Sequence, residues 1–496
     1  MTESKIDTRV VKGVALTSLT VALGACGHLP IAGPAFDAME TQRAGLPADW
    51  TIAEMTGDTT VVIADYSVFG DAQLTALIQE ALENNRTLRA SMESVRQSEA
   101  LLRQSRSGLW PSLSAGVGVS AVDRDDNPNT AIDESSSFST ETYSFNISGA
   151  YNVDLMGDLS ASIRASIAGL RSTEATYELA RRQLAAQVAR AYFTVLEQRL
   201  QLDLNRRTLE RARSTFNITQ TRFDAGAVAR DELVLGESSL ASAEDSVISS
   251  EASVRASVRS LEVLLGRFPR NALEVQGALP APPPTPPMGL PELTIRSRPD
   301  VVAAEFNLIQ TFANNRVVHM SRWPQLDATL GLGLQNGTTD TTSGLFDLDG
   351  IAYSIGATLA QTIFDGGAIS GRIAASDAAK RAALERYGQT IIDSYASILN
   401  ALDQFNTLQS RSRSLETASE AARETLRLSE LRYNEGSQSL LDLITVRDRA
   451  DAAESALISN RRARLEQWIV LHQALGGDPV KATSLPTVEQ TAEGAY

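Results

Sequence analysis

The residue types that most often carry out chemistry in proteins are scarce and scattered in this chain. Its three histidines, His28, His319 and His472, lie far apart in the sequence, and a histidine standing alone is usually a surface or packing residue. The glycines near residues 226 and 436 lack the spacing of a phosphate-binding loop and are typical of turns. We therefore expect no enzyme activity, no metal site and no bound cofactor.

The single cysteine, Cys26, is the one residue whose setting predicts a chemical modification. A basic start is followed by a short apolar run and small residues, which is the layout of a secretory signal. The ending Leu23-Gly24-Ala25-Cys26 resembles a bacterial lipobox, which implies removal of residues 1–25 and acylation of Cys26. The apolar run from Val14 to Ala25 is shorter than the ~20 residues of a spanning helix, which argues against an uncleaved anchor.

Composition excludes several classes of protein. The 496 residues carry a formal net charge of -15, whereas a nucleic-acid-binding protein needs a basic face. One cysteine permits neither an intrachain disulfide nor a thiolate zinc site. Aromatic residues make up only 5% of the chain, and Ala, Ser, Leu, Arg and Glu predominate, as in proteins built from long helices.

The chain contains one long pattern twice. Arg222-Phe223-Asp224-Ala225-Gly226 returns 210 residues later as Arg432-Tyr433-Asn434-Glu435-Gly436, and Leu265-Gly266 returns at the same offset as Leu475-Gly476. Trp110-Pro111 returns as Trp323-Pro324, 213 residues later. The period is far too long for a solenoid, so one large structural unit is used twice.

Each unit contains two segments in which apolar and small polar residues alternate, as in strands with one apolar face. Taken singly, such a pair fits either half of a soluble hairpin or two membrane-spanning strands with lipid outside and water inside. Its presence at the same place in both units favours membrane strands. The predicted strands are residues 112–122, 143–154, 325–335 and 352–362.

Helical periodicity fills most of the remaining chain. A helix at 71–109 precedes the first strands, and a helix from Pro291 to Arg322 precedes the second pair. After each pair, a helix of roughly 65 residues, ~100 Å at 1.5 Å per residue, turns back into a shorter one. The predicted organisation is a signal peptide at 1–25, an acylated extended segment at 26–70, a first repeat at 71–277, a proline-rich linker at 278–291, a second repeat at 292–476 and an unstructured tail at 477–496.

Four strands cannot close a barrel, and an open sheet in lipid leaves edge amides unsatisfied at several kcal/mol per group. The chain must therefore complete the barrel with copies of itself. Two copies give eight strands, whose interior is filled by side chains. Three copies give twelve strands, and the small inward residues would then leave a channel open, so we expect a trimer.

The chain resembles the TolC-like outer-membrane efflux proteins, in particular their lipoprotein, NodT-like branch. The resemblance covers nearly the whole chain after the signal peptide. It implies a mainly helical fold with membrane strands, in which a trimeric twelve-stranded β-barrel continues into a long periplasmic α-helical barrel. The motifs that carry it are the lipobox, the two Trp-Pro pairs, Gly289-Leu290-Pro291, Arg298-Pro299-Asp300, Phe364-Asp365-Gly366-Gly367, Arg432-Tyr433 followed by Gly436, and Leu475-Gly476.

The resemblance also implies a function and a location. It implies a passive duct for small molecules and drugs in the bacterial outer membrane, anchored by lipid on Cys26. It implies two partners besides outer-membrane lipid, a periplasmic adaptor protein and an inner-membrane pump of the RND type. The net charge of -15 separately argues against a partner made of nucleic acid.

In the family, rings of acidic residues narrow the pore where the helices begin to return from the periplasmic turns. Asp442 matches one such acid, and the position one turn later is Thr445, so a second ring is missing or displaced there. Glu232 is the counterpart of Asp442 in the first unit, and we expect both to face the lumen. Arg222, Arg432 and Tyr433 are expected to supply bonds that hold the closed state. The turn residues expected to dock the adaptor are Asp224, Ala225, Gly226, Ala227, Asn434, Glu435, Gly436 and Ser437.

Three other readings remain open from the residues alone. A periplasmic lipoprotein scaffold of long helices would have no pore, but it would have no need for matched alternating strands. A protein-secretion duct and a metal-ion efflux channel share the channel architecture. No Met-rich or His-rich stretch favours the metal channel.

Overall fold

The computed structural model describes residues 32–47, 66–124, 138–286, 291–338 and 351–477. The signal peptide, Cys26 and the tail from residue 478 onward lie outside the described residues. The described chain divides into two compact units. Of the described residues, those up to Glu40, those from 97 to 171 and those from 306 to 385 belong to the sheet unit, and the others belong to the helical unit.

The order of elements within the two repeats is the same. Each repeat has a helical segment, two strands, a very long helix and a shorter return helix. The helices are α1 Ala32–Arg43, α2 Ala72–Asn84, α3 Arg86–Ser107, α4 Asp158–Asp224, α5 Arg230–Leu264, α6 Pro291–Arg296, α7 Pro299–Met320, α8 Ala368–Asn434 and α9 Leu440–Ala474, and a 3-10 helix spans Tyr66–Phe69. The strands are β1 Ser112–Arg124, β2 Phe138–Val153, β3 Gln325–Thr338 and β4 Ile351–Ala360.

The long helices and the return helices of the two repeats agree in length to the residue. The long helices α4 and α8 each have 67 residues, and the return helices α5 and α9 each have 35. Each return helix ends on a glycine with positive φ, 78° at Gly266 and 77° at Gly476. The repeat predicted from the sequence is thus reproduced in the backbone.

Both helices predicted to precede the strands are broken, contrary to expectation. The predicted helix at 71–109 divides at Asn85, whose side-chain oxygen accepts the N–H of Leu88 at 3.0 Å and whose amide donates to the carbonyl of Leu264 at 2.8 Å. The predicted helix from Pro291 to Arg322 divides before Pro299, because a proline disfavours helical geometry in the residue before it.

At both breaks a side chain donates a hydrogen bond to the last carbonyl of a return helix, but the side chain differs between the repeats. In the second repeat Arg298 replaces the asparagine and donates to the carbonyl of Ala474 at 2.7 Å. Leu264 and Ala474 are the last residues of α5 and α9, whose carbonyls have no partner within their helices. Each break therefore satisfies the end of the return helix of its own repeat.

The N-terminal segment expected to be extended contains helix α1 and the 3-10 helix. Low periodicity hid them because tertiary contacts, rather than an amphipathic pattern, stabilise both. Ala35 and Met39 of α1 are buried. At its end, Arg43 donates through Nε to the hydroxyl of Tyr387 at 2.8 Å and pairs with the carboxylate of Glu305.

The helical unit contains an aromatic cluster that the low aromatic content does not suggest. The Phe69 ring lies 5.1 Å from the rings of Phe193 and Trp468, and the Trp468 ring stacks on His472, also at 5.1 Å. The cluster joins the 3-10 helix, α4 and α9. It gives His472 a packing role, in agreement with the expectation for an isolated histidine.

The four strands form one antiparallel sheet in the order β1-β2-β3-β4. β2 of the first repeat pairs with β3 of the second, with Val153 opposite Leu326. The structure has a strand at each of the four predicted places: β1 to β3 are longer than predicted at their loop ends, and β4 ends two residues before its predicted end at 362. β1 and β4 are edge strands: in the described part of the chain, each is paired along one side only.

The pairing register sorts the side chains into two different faces. Apolar residues oppose apolar residues across all three pairs, and the apolar face is largely exposed. It carries Leu113, Ala115, Val117, Val119, Phe145, Ile147, Tyr151, Val153, Leu326, Ala328, Leu330, Leu332, Tyr353, Ile355, Ala357 and Leu359. The other face carries serine, threonine, asparagine, aspartate and small residues.

Glycine on the polar face makes room for a larger neighbour on the next strand. A Cβ on Gly116 would lie 2.7 Å from Oδ1 of Asn146, and one on Gly331 would lie 2.5 Å from Oγ of Ser354. The alternation of glycine with polar residues is therefore a packing requirement of this face. Among the described helices, none combines the length and apolarity needed to cross a membrane.

Candidate functional site at the helix turns

The turns that join α4 to α5 and α8 to α9 have the same backbone geometry. At the first, the N–H of Gly226 donates to Phe223 and that of Ala227 to Arg222, and at the second, Gly436 donates to Tyr433 and Ser437 to Arg432. Gly226 and Gly436 have φ of 72° and 76°, the left-handed conformation that ends helices. All eight residues expected to dock a partner are exposed.

Arg222 and Tyr433, both predicted to hold a closed state, meet in this structure. The Arg222 guanidinium donates to the carbonyls of Tyr433 and Asn434 at 3.0 and 2.9 Å. Its central carbon lies 4.9 Å from the centre of the Tyr433 ring, a cation–π contact. The first repeat thus holds the last turn of α8 through one arginine.

Tyr433 is also held at its hydroxyl, by a residue that we did not identify from the sequence. Its hydroxyl lies 2.7 Å from the hydroxyl of Thr219 on α4, and the tyrosine is only 1% exposed. Thr219 is fully buried. Its counterpart in the second repeat, Ser429, also carries a buried hydroxyl. A hydroxyl residue at the same place in the apolar stripe of both long helices is the sequence signal that could have identified Thr219.

Arg432 does not take part in this contact. It is the counterpart of Arg222, but it lies exposed on α8, where its carbonyl accepts from the backbone N–H and the hydroxyl of Ser437. The duplication therefore places an arginine at the same position in both repeats, and of these two Arg222 is the one that bonds to the other repeat.

The two acids predicted to line the pore each sit in the first turn of a return helix. Glu232 is half-buried near the start of α5, and Asp442 is exposed near the start of α9. Ser439 caps α9, accepting the N–H of Asp442 at 3.2 Å and donating its hydroxyl to the Asp442 carboxylate at 2.7 Å. Negative charge is favoured at a helix N-terminus, so both acids also have a local structural role.

Thr445, the predicted place of a missing second acidic ring, is exposed and donates its hydroxyl to the carbonyl of Leu441, one turn earlier. Within the described residues, no ion pair links Glu232 or Asp442 to another helix. The structure therefore brings Arg222 and Tyr433 together, while the two acids stay apart from them in the single chain.

An apolar cluster lies beside the turns and is built mainly from the second repeat. Leu426, Tyr433, Leu440, Leu443 and Ala450 form it, and Ile218 and Leu235 of the first repeat pack against it. At its edge, a side chain Cβ on Gly236 would touch Leu440 at 3.6 Å. The two helical hairpins of one chain are thus in direct contact near their turns.

Above this cluster lies a buried arginine, Arg447, which the sequence did not identify as a functional residue. It is 4% exposed and donates to the hydroxyl of Ser239 on α5 at 2.7 Å. Burial lowers the pKa of Arg447. Ser239 belongs to the other repeat, so the contact again joins the two hairpins.

A ladder of polar contacts between α4 and α9 continues from Arg447. Asp451 accepts from Thr208 at 2.8 Å and faces Arg211 at 3.4 Å, and Glu454 pairs with Arg207 at 2.8 Å. Burial raises the pKa of Asp451. Burial also acts to raise the pKa of Glu454, but Arg207 and Arg423 outweigh it and hold that pKa below its usual range.

No group of three or more histidine, cysteine or carboxylate side chains suitable for a metal ion occurs within the described ranges. The contacts near the turns are charged, apolar and hydrogen-bonded side-chain contacts between helices. Such a set of contacts can hold or release helices.

Comparison with known proteins agrees with this arrangement. The family model for outer membrane efflux proteins matches residues 77–267 and 290–477. Pyoverdine export outer membrane protein OpmQ of Pseudomonas aeruginosa is 28% identical over 480 residues, 94% of this chain and 97% of that protein. Nodulation protein T of Rhizobium leguminosarum bv. trifolii is 24% identical over 89% of this chain and 94% of its own length.

Solved structures have the same fold. The Campylobacter jejuni CmeC outer membrane channel superposes with a TM-score of 0.77 at 20% identity, covering 91% of this chain and 94% of that one. The outer-membrane channel OprN superposes with a TM-score of 0.75 at 23% identity, covering 87% and 99%. The predicted fold class is therefore confirmed.

Proposed function

The chain belongs to the outer membrane efflux protein family, and from that premise we propose that it is the outer-membrane channel of a tripartite efflux system. It acts as a passive duct through which small molecules and drugs leave the cell. A periplasmic adaptor and an inner-membrane pump, of the RND type, deliver the cargo.

The sheet is the observation that carries this proposal. One face is apolar and exposed, the other is polar and lined by small residues, and both edges lack a partner strand in the described chain. In lipid, an open edge costs several kcal/mol for each unpaired backbone group. Three copies supply twelve strands, which close around a space wide enough for water and solutes.

Acylation of Cys26 completes the proposed location. The lipid holds the N-terminus at the outer membrane, while the long helices extend into the periplasm. The turn residues from Asp224 to Ala227 and from Asn434 to Ser437 form the surface for the adaptor, because all are exposed and both turns present the same backbone.

The assembly and the pore are tested together on the full-length protein purified in detergent. We expect a mass of three chains, heat-modifiable migration on a gel, and ion conductance in a planar bilayer. A monomer without conductance would instead support the non-pore scaffold.

Closure of the duct is proposed to depend on the residues at the turns. Arg222, Tyr433 and Thr219 hold the two hairpins together in the closed state, and three-fold symmetry places three copies of Glu232 and of Asp442 near one another. Like charges at short range disfavour tight closure unless a cation or a basic group compensates for them.

The acidic residues are tested by conductance of trimers carrying Glu232→Ala and Asp442→Ala. We expect reduced cation selectivity and altered conductance, whereas Glu237→Ala, which removes an exposed acid from the same α5 helix, should change neither. Conductance and selectivity equal to those of the unmodified channel would remove Glu232 and Asp442 from the gate.

A further inference from the structure

The unpaired edges of the sheet are the two ends of one duplicated pattern. β1 is the first strand of the first repeat and β4 is the last strand of the second, while β2 and β3 already pair with each other inside the chain. If copies of the chain close a barrel, as proposed above, β4 of one copy must pair with β1 of the next. The β2–β3 pair is then a template for that contact.

Aligning the two repeats shows which residues of β4 and β1 correspond to the paired residues of β2 and β3. Ser112 and Gln325 each directly follow a Trp-Pro pair, so they are equivalent positions in the two repeats. Ser112 pairs with Ala150, and Gln325 pairs with Ala360. β1 therefore maps onto β3 with an offset of 213, and β2 maps onto β4 with an offset of 210. Ser148 opposite Gly331 in the β2–β3 pair becomes Thr358 opposite Gly118 between copies.

We propose that a second copy of this chain pairs its β1 with β4 in the register that the duplication dictates. Thr358 lies opposite Gly118 of the next copy, and the adjoining pairs are Leu359 with Val117, Ala357 with Val119, and Gly356 with Ser120. This inference rests on the proposed closure of a barrel by identical chains, and it adds the register of the contact.

The chemistry of the paired residues agrees with this register. A shift by one residue would set apolar positions against polar ones, because successive side chains point to opposite faces. A shift by two keeps the faces but loses the match in size. Compared with both two-residue shifts, the proposed register alone sets glycine opposite a hydroxyl residue at both Thr358 and Gly356.

The same complementarity already exists inside the chain. A Cβ on Gly118 would lie 2.8 Å from Oγ of Ser144, and one on Gly356 would lie 3.1 Å from Oγ1 of Thr329. A glycine beside a hydroxyl residue is thus how adjacent strands fit on this face. The proposed contact extends that fit around the barrel.

Cysteine pairs in the full-length protein test the register, since Cys26 is the only native cysteine. Opposed residues in antiparallel strands alternate between wide and narrow pairs, and disulfides favour the narrow ones. Two adjacent pairs are therefore needed, Thr358→Cys with Gly118→Cys and Ala357→Cys with Val119→Cys. Matched controls shift each β1 cysteine by two, to Gly116 or Ser120 and to Val117 or Ala121.

We expect oxidation to give disulfide-linked dimers and trimers with one or both proposed pairs, at least several-fold more than with any shifted pair. A link within one chain is excluded, because β1 and β4 lie three strand spacings apart, about 14 Å, beyond the reach of a disulfide. The chain with Cys26 alone should give no linked band.

Two results would overturn the register. One is a shifted pair that links more efficiently than both proposed pairs, and the other is a trimeric, conducting protein in which neither proposed pair links. Failure of the proposed function is distinguishable from either, since a chain that forms no trimer and no pore before oxidation contradicts the barrel itself.

Discussion

At the scale of single residues, the contact between Tyr433 and the first repeat is the most specific part of the candidate gate. Tyr433→Phe removes only the hydroxyl that meets Thr219, and Thr219 keeps its bond to the carbonyl of Thr215 at 3.0 Å. The loss is about 1 kcal/mol of contact between the hairpins. We expect a larger fraction of open channels in planar bilayers at unchanged single-channel conductance.

The matched control is Tyr353→Phe, which removes a hydroxyl from an exposed tyrosine of β4. It should leave the open fraction unchanged. An open fraction of the Tyr433→Phe channel equal to that of the control would show that the contact does not restrain opening.

The ladder between α4 and α9 predicts opposite pH responses from two neighbouring acids. The pKa of Asp451 is raised in the folded protein, so its stabilising contribution is present at low pH and is lost as pH rises through that raised pKa. The pKa of Glu454 is lowered, so its contribution is present above the ordinary pKa of a free glutamate, about 4.3, and is lost as pH falls through the lowered pKa.

These pH responses are to be measured as the midpoint temperature at which the helical circular dichroism of the detergent-solubilised protein is lost. Relative to Asp451→Asn, the unmodified protein should gain stability as pH falls from neutral towards about 4. Relative to Glu454→Gln, it should lose stability as pH falls through and below that range. Two slopes of the same sign would contradict the assignment of burial as the dominant influence on Asp451.

At the scale of elements, the turn glycines show what the duplication preserves. Gly226 and Gly436 have positive φ, and no atom lies within 4 Å of where their Cβ would be. Alanine at either position therefore costs about 1 kcal/mol through backbone strain alone. We expect Gly226→Ala and Gly436→Ala to lower the thermal midpoint by similar amounts.

Gly371→Ala is the matched control, because Gly371 lies inside α8 with open space around it and an ordinary helical φ. Alanine should stabilise that position by roughly 0.5–1 kcal/mol. A destabilising Gly371→Ala, or a neutral pair of turn substitutions, would show that the strain is absorbed elsewhere.

Elements with a strong local pattern were predictable from the sequence, and contacts between distant residues were not. Period-two alternation located all four strands, and the 210-residue offset located both turns, because these signals lie in neighbouring residues. The break before Pro299 had a local signal, the proline, whereas the break at Asn85 depends on the carbonyl of Leu264, 179 residues away.

The residues of the candidate gate also divide into those that the sequence predicted and those that it did not. Arg222 and Tyr433 were predicted because the family resemblance points to the turns. Thr219 and Arg447 were missed, because their partners Tyr433 and Ser239 lie more than 200 residues away in the sequence. Polar residues in the apolar stripes of long helices are the signal that would have found both.

At the scale of the whole molecule, the lipid on Cys26 is a prediction that stands on the sequence alone. Cys26→Ser removes the acceptor thiol, so growth with labelled fatty acid should give no labelled protein. Cleavage and membrane location are measured in the same cells by fractionation. Label that persists in the serine variant would refute acylation at Cys26, and the unmodified chain serves as the positive control.

The two unpaired sheet edges also have a genetic consequence. A closed barrel requires β1 and β4 of every chain to pair with a neighbouring chain. One chain whose edge strand cannot pair therefore prevents closure of the whole trimer that contains it. In a cell making equal amounts of intact and edge-damaged chains, only about one trimer in eight would contain intact chains alone. A proline at Thr358 should therefore behave as a dominant allele, sensitising cells to exported compounds even beside a normal copy of the gene.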